Sequence, residues 1–386
     1  MKTICLLGAS GSIGTQTLDV MSKHPNEFSL VAFSVGQKTR KISSIIKNNE
    51  DVKYICIQNK NKVQYYQNKY PQITFFSGDQ GLLDLIDASK PYMVVNALVG
   101  FVGLKPTLHA LKKDLVVCLA NKEALVVGGE LVNDLLSKGH GKLYPIDSEH
   151  SALKKCLMVD DKNVSKLMLT ASGGAFRKLS REQLKTVTPE DALKHPTWKM
   201  GNKITIDCAT MINKAFEVIE AHYLFGYSYK NIGITLHDES RVHSYVIYKD
   251  NTLRADVSKP DMRNPIKLAL YEFNTEFDTV VVPSLEAFKD LHFHQFDINR
   301  YPIVALAKTV IEKKGTFGAV FNAANEIAVH AFLNHEISFL TIEDIVNELM
   351  KKHKNIVSPS FEDIVKVDLN TRKEARELVK KWRISQ

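Results

Sequence analysis

The chain of 386 residues exceeds what one hydrophobic core usually supports, so two or three domains are expected. Hydrophobic residues make up 44% and charged residues 24%, an ordinary globular balance, and no apolar run approaches the ~18 residues of a membrane span. The net charge of +8 is spread along the chain, which suits anionic small molecules, and no RNA-binding, zinc-finger or basic-zipper pattern supports a nucleic-acid partner.

Residues 1–150 alternate apolar runs with amphipathic stretches. The runs "TICLLG", "FSLVAFSV", "YICI", "MVVNAL", "LVVCLA" and "KLYPID" read as strands, with helices over 14–22, 41–48, 62–69 and 103–112. Such alternation predicts an α/β domain: a Rossmann-like, doubly wound parallel sheet with helices on both faces. After the first strand comes "GASGSIG", where Gly8, Gly11 and Gly14 let the backbone turn tightly and approach a pyrophosphate at a helix N-terminus. The spacing is G-x-x-G-x-x-G, and a ligand-free βα turn could carry the same glycines. After the second strand, "GQKTRK" holds Gln37, Lys38 and Arg40 where an NAD-binding chain usually has an acid. Positive charge there favours a 2′-phosphate, hence NADP; an exposed basic helix start is the alternative.

The strand "LVVCLA" leads into "LANKEAL", which puts Asn121, Lys122 and Glu123 at a strand's C-terminal end, where open parallel sheets bind ligands. Lys122 could hold substrate or pair with a carboxylate. In "LYPIDSEHSA", Asp147 and Glu149 point to one side of an extended chain. Alone, that stretch fits a polar loop as readily as half of a cation site.

Residues 151–273 read as an α+β catalytic domain. It has strands in "SKLMLTASGGAF" and "VHSYVIYKDNTLRADV", the latter a hairpin turning at "KDN", and a helix in "ATMINKAFEVIEAHYLF". On that helix Asn213, Glu217 and Glu220 fall at i, i+4 and i+7 and share a face. A divalent metal would relieve the crowding there and at Asp147 and Glu149, and an all-oxygen set suits Mg²⁺ or Mn²⁺ rather than zinc. A solvated amphipathic face is the alternative. The helix is expected to begin just after Cys208, so its free N–H groups and Lys214 could bind a phosphate. Ser172, Gly173 and Gly174 make either an anion nest or a plain turn. The loop "HPTWKMG", with His195, Trp198, Met200 and Gly201, suggests a lid that excludes water, although a lone histidine in such a loop is more often structural or exposed than catalytic. Residues 274–300 read as a linker. Residues 301–386 form a C-terminal helical domain with helices at 302–314, 323–334, 341–353 and 371–382. Five cysteines without C-x-x-C spacing argue for reduced thiols in a cytoplasmic compartment, and no signal or transit peptide is expected before the first strand.

The motifs "GASGSIG", "LANKE", "PIDSEHSA", "TASGGAF", "HPTWKMGNKITIDCATMINKAFEVIEA", "PDMRNPI" and "NAANEIAV" follow one another over nearly the whole chain. Together they closely resemble the 1-deoxy-D-xylulose 5-phosphate reductoisomerase family of the non-mevalonate isoprenoid route. The resemblance implies that Ser10, Gly11, Ser12 and Ile13 hold the NADPH pyrophosphate. It places Gly36, Gln37 and Lys38 at the adenosine ribose and 2′-phosphate, with Asn121, Glu123 and Gly201 as further cofactor contacts. Asp147, Glu149 and Glu217 would bind one divalent cation, with Glu220 behind them. Lys122, Ser148, Glu149, Ser172, His195, Trp198, Cys208, Asn213, Lys214 and Glu217 would line the sugar-phosphate site.

The implied reaction converts 1-deoxy-D-xylulose 5-phosphate to 2-C-methyl-D-erythritol 4-phosphate by retro-aldol and aldol rearrangement, then hydride reduction. Lys122 and Glu149 are candidates for moving protons, while His195 and Trp198 would shut out water. The family is homodimeric and is inhibited by phosphonohydroxamates. This chain departs from the family at three places: Cys208 stands for a usual serine, Ser258-Lys259 for Gly-Glu, and Gln37 for a usual lysine. A different NADP-dependent sugar-phosphate reductase on this scaffold, or a non-catalytic NADP-sensing protein, are the competing readings. Metal-dependent turnover would exclude the second.

Overall fold

The computed structural model describes residues 1–194, 200–274 and 289–383. It contains two compact units. One comprises Met1–Ala124, Val132–Asp147 and Asp261–Asp278; the other comprises Leu125–Leu131, Ser148–Pro260 and Thr279–Gln386. Among the described residues no helix is long and apolar enough to cross a membrane.

The first unit is built on strands β1 (Lys2–Leu7), β2 (Phe28–Val35), β3 (Tyr54–Ile57), β4 (Thr74–Ser77), β5 (Met93–Asn96), β6 (Val116–Leu119) and β7 (Lys142–Pro145). They form one parallel sheet of order β4-β3-β2-β1-β5-β6-β7. Helices α1 (Ser12–Ser22), α2 (Ile42–Lys47), α3 (Val63–Lys69), α4 (Gly78–Ser89), α5 (Leu104–Lys112) and α6 (Lys122–Ser137) make the connections. The doubly wound architecture is the one the alternating runs predict. Sequence periodicity missed β4 and α4, because four residues with one fully buried side chain, Phe75, carry almost no alternation signal. Strand order reverses between β1 and β5, where Leu7 pairs with Asn96 and Ala97 N donates to Leu7 O at 3.0 Å. A parallel sheet opens its ligand crevice at such a reversal.

The core of this sheet, around Ile4, Leu6, Phe33 and Val95, also contains Ile266 and Leu270. These lie on a helix late in the chain, Arg263–Leu270, numbered α11 below. Contiguous boundaries would put that helix in the middle domain. It returns to the first unit because its apolar face, with Pro265 and Ala269, is buried against α1 and the sheet.

The second unit begins with α7 (Ser148–Leu157) and holds strands β8 (Val164–Ala171), β9 (Ile232–His237), β10 (Val242–Tyr248), β11 (Leu253–Val257) and β12 (Phe293–Gln295). Their order is β11-β10-β8-β9-β12, with only the β8–β9 pair parallel. The β10–β11 hairpin turns where "KDN" predicts, closed by Tyr248 N donating to Thr252 O at 2.9 Å. Strand β12 falls in the stretch read as a linker; of that stretch, 275–288 lie outside the described residues. The helices are α8 (Pro189–Ala192), α9 (Asn202–Thr210) and α10 (Ile212–Phe225) and, after α11, α12 (Leu306–Lys313), α13 (Phe317–Leu333), α14 (Phe339–Lys352) and α15 (Phe361–Lys381). Helix α13 is buried along most of its length, and α14 and α15 pack on it. Helix α15 starts at Phe361 rather than at 371, because Ser360 and Asp363 form a reciprocal cap ahead of the apolar pattern.

Candidate active site

The glycine loop has the shape its sequence requires. Gly8 has a left-handed φ of 86°, and a Cβ there would lie 2.6 Å from Ala97 O. A Cβ on Gly14 would lie 2.3 Å from Gly8 O, so α1 approaches the loop closer than any side chain allows. Gly8 N donates to Ser34 Oγ at 2.9 Å and Ala9 N to Ser34 O at 2.8 Å, which pins the loop to β2. Ser10, Gly11, Ser12 and Ile13 thereby lie at the N-terminus of α1, with Gly11 as its cap and no side-chain capping hydrogen bond. Gly36, Gln37 and Lys38 follow β2 on the surface.

After β6, Asn121 caps α6. Its Oδ1 accepts from Ala124 N at 3.0 Å, and its Nδ2 donates to Leu98 O at 3.1 Å, Gly100 O at 3.0 Å and Glu123 Oε2 at 3.2 Å. The amide ties the loop after β5 to the start of α6, and both Asn121 and Glu123 are buried. Lys122 Nζ pairs with Asp147 Oδ2 at 2.7 Å.

Asp147 lies two residues after the end of β7, and Glu149 follows it in the first turn of α7. Glu217, on α10, joins them: one oxygen from each of the three carboxylates lies within 4.8 Å of the others. Lys214, buried in the same place, pairs with Glu217, has Glu149 Oε1 at 3.9 Å, and donates to Thr170 O at 2.5 Å. Asn213 Nδ2 also donates to Glu217 Oε1, and Ser148 Oγ to Glu149 Oε2 at 2.6 Å. Three acids this close repel one another unless positive charge gathers between them. The donor set is oxygen only, which fits a hard dication such as Mg²⁺ or Mn²⁺. A second acidic group combines Asp147 with His150 and Glu220. There the imidazole is engaged on both sides: Nε2 lies 2.9 Å from Glu217 O and Nδ1 3.4 Å from Glu220 Oε2. Fully buried, His150 braces the helix that carries Glu217.

The loop after β8 holds Ser172, Gly173 and Gly174, the glycines with φ of 81° and 68°. Gly174 presses on α9, where a Cβ would lie 2.6 Å from Cys208 O. The helix expected to start just after Cys208 is divided in two. No single helix begins after Cys208: Cys208 lies inside α9, and α10 starts at Ile212. Between them Met211 adopts a left-handed φ of 65°, and Ile212 N is taken up by Thr210 Oγ1 at 3.3 Å. The first turn of α10 therefore presents Asn213 and Lys214, while Cys208 belongs to the preceding helix, with its carbonyl beside Gly174. Gly201 caps α9 on the surface. His195 and Trp198 lie outside the described residues.

Sequence reasoning gave no role to Asp207 or to the "NAANEIAV" segment. The buried Asp207 carboxylate receives Asn325 Nδ2 at 2.8 Å and Lys203 Nζ at 3.0 Å, which fastens α9 to α13. A buried acid beside a lysine at i−4 was the available signal.

A parallel sheet with a glycine loop at its switch point, followed by a unit that gathers acidic oxygens, defines a nucleotide-dependent oxidoreductase with a metal-ready carboxylate set. Residues 4–129 match the 1-deoxy-D-xylulose 5-phosphate reductoisomerase family, residues 143–225 its C-terminal domain, and residues 257–374 the DXP reductoisomerase C-terminal domain. The 1-deoxy-D-xylulose 5-phosphate reductoisomerase of Bacillus cereus is 44% identical over 97% of this chain and 98% of its own length. That of Halalkalibacterium halodurans is 43% identical over 98% of this chain and 100% of its own. A crystal structure of DOX-P reductoisomerase in complex with NADPH, fosmidomycin and magnesium is similar at a TM-score of 0.91 and 32% identity, covering 98% of both chains. The Zymomonas mobilis enzyme in complex with NADPH gives 0.89 at 33% identity, over 98% of this chain and 99% of that one. The chain belongs to the 1-deoxy-D-xylulose 5-phosphate reductoisomerase family.

Proposed function

We propose that the protein converts 1-deoxy-D-xylulose 5-phosphate to 2-C-methyl-D-erythritol 4-phosphate with NADPH and one divalent cation, Mg²⁺ or Mn²⁺. The observation that carries this reading is the convergence of Asp147, Glu149 and Glu217, in a chain that matches the family along its length. When bound, the cation supplies Lewis acidity toward the vicinal oxygens of the ketose phosphate, and NADPH supplies the hydride. The solved relative in complex with NADPH, fosmidomycin and magnesium supports both partners and a phosphonohydroxamate inhibitor.

The chain's own residues do the rest. Ser10 to Ile13 and the N-terminus of α1 hold the pyrophosphate, and Gly36, Gln37 and Lys38 the ribose end. Asn121 and Glu123 act on the cofactor by fixing the loop beside it. Ser172, Cys208, Asn213 and Lys214 hold the substrate phosphate, a remote handle whose binding energy positions the reacting carbons. Ser148 orients Glu149, which with Lys122 moves protons at the reacting oxygens. His195 and Trp198 close over the substrate, and Gly201 contacts the cofactor. We assign the assembly as a homodimer in the cytoplasm, with neither membrane nor nucleic acid as a partner; five unbridged cysteines accord with a reducing compartment.

The test is NADPH oxidation followed spectrophotometrically with deoxyxylulose phosphate and a panel of other ketose phosphates, before and after chelation. Turnover confined to deoxyxylulose phosphate, abolished by the chelator and restored by Mg²⁺, is expected. Full activity in the chelated enzyme would contradict the assignment.

A further inference from the structure

Gln37 stands in this chain where the family usually has a lysine, and Lys38 and Arg40 beside it are the expected source of charge for the cofactor's 2′-phosphate. The structure brings a different cation to the place. Lys41 ends the short 3-10 turn Thr39–Lys41. Its Nζ donates to Thr15 Oγ1 at 2.8 Å and to Ser10 O at 3.3 Å. Thr15 Oγ1 in turn donates to Gly11 O at 2.7 Å. The ammonium is therefore wired across the rim of the glycine loop, between the segment that follows β2 and the first turn of α1. Both of its partners are neutral, so its charge is not cancelled where it sits, and the side chain is exposed to an incoming anion. The longer bond, to Ser10 O, can be exchanged for a phosphate oxygen, and an ammonium pairs more strongly with an anionic oxygen than with the neutral carbonyl it leaves.

We propose that Lys41, held on the glycine loop by Thr15 and Ser10, binds the 2′-phosphate of NADPH and sets the preference for NADPH over NADH. The proposal rests on the NADPH reading above. Its geometry lies wholly within the first unit, on the two loops at the ends of β1 and β2. A lysine suits the role because a point charge on a flexible stem can leave the carbonyl without breaking the loop.

Calorimetric titration of the purified full-length protein with NADPH and with NADH tests it, with no substrate or metal present. Lys41→Ala and Lys41→Gln are expected to weaken NADPH binding about tenfold or more and to leave NADH within about twofold, with Lys41→Arg recovering most of the loss. Thermal midpoints should match those of the unchanged protein, because Lys41 is exposed. Retention of NADPH affinity in both neutral variants overturns the assignment. So does an equal loss for NADPH and NADH, which would place the ammonium on the pyrophosphate instead. If the unchanged protein itself shows no preference for NADPH, the underlying cofactor reading fails along with this one, a result distinct from either of the others.

Discussion

Glu149 meets three different demands: it accepts from Ser148, lies near Lys214, and offers an oxygen to the acidic trio. Glu149→Gln keeps the shape and removes the charge. Turnover should fall by more than about 100-fold, while the NADPH dissociation constant stays unchanged, because the glycine loop makes none of these contacts. Steady-state kinetics paired with cofactor titration reads both quantities, and unaltered turnover would sink the metal assignment. At this scale much was legible. Helical spacing gives Glu217 its face, whereas Asp147 and Glu149 are not alternate residues of an extended chain as their spacing suggests: β7 ends at Pro145 and α7 begins at Ser148, so the chain turns into a helix between them. What spacing could not give was the choice of partner. Lys122 on Asp147 and His150 beneath Glu217 depend on which elements the fold brings together.

Helices α9 and α10 meet at a single left-handed residue, Met211, so the helix carrying Cys208 and the helix carrying Asn213, Lys214 and Glu217 are set at an angle fixed by one backbone conformation. Sequence reasoning ran them together because methionine is a good helix former and nothing in "CATMIN" signals a stop. Strand β9 was missed for a related reason: only the first and last residues of "IGITLH" are fully buried. The angle between α9 and α10 is braced from outside by Asn325 on Asp207. Asn325→Ala removes a buried hydrogen bond to a carboxylate and should cost about 1–3 kcal/mol of stability. Asn325→Asp should cost more, since it sets two buried acids against each other, and its deficit should shrink as the pH is lowered. Urea denaturation of the two variants checks the ranking; a more stable Asn325→Asp would refute the brace.

The whole molecule should lose stability on mild acidification. Burial holds the His243 imidazole below its ordinary value of 6.5, outweighing the nearby Asp256, and burial lowers His353 as well. In the unfolded chain both titrate at their ordinary value, so below it the unfolded state binds more protons and stability falls with falling pH. His292 is shifted upward by Glu239 and works in the opposite sense, but it is exposed and screened by solvent. The thermal midpoint should therefore drop between about pH 7.5 and about pH 5.5, and His243→Gln should narrow the drop. An identical pH slope in that variant would remove His243 from the account. Fold class was legible at this scale, because period-two and helical patterns are local. The return of α11 to the first sheet was not, because no local pattern states which distant surface an apolar helix face will cover.

That return has a bearing on how the chain is made. All seven strands of the first sheet have been synthesised by Pro145, yet Ile266, Leu270 and Phe273, which complete its core, emerge from the ribosome only after the strands of the β8–β11 group. The nascent nucleotide-binding sheet must wait with an apolar wall uncovered while the next sheet leaves the exit tunnel. Release of a finished first domain ahead of the second is thus denied to this protein. A premature stop anywhere before α11 would yield a sticky fragment, a natural substrate for chaperones and proteases, instead of a free cofactor-binding module that competes for NADPH.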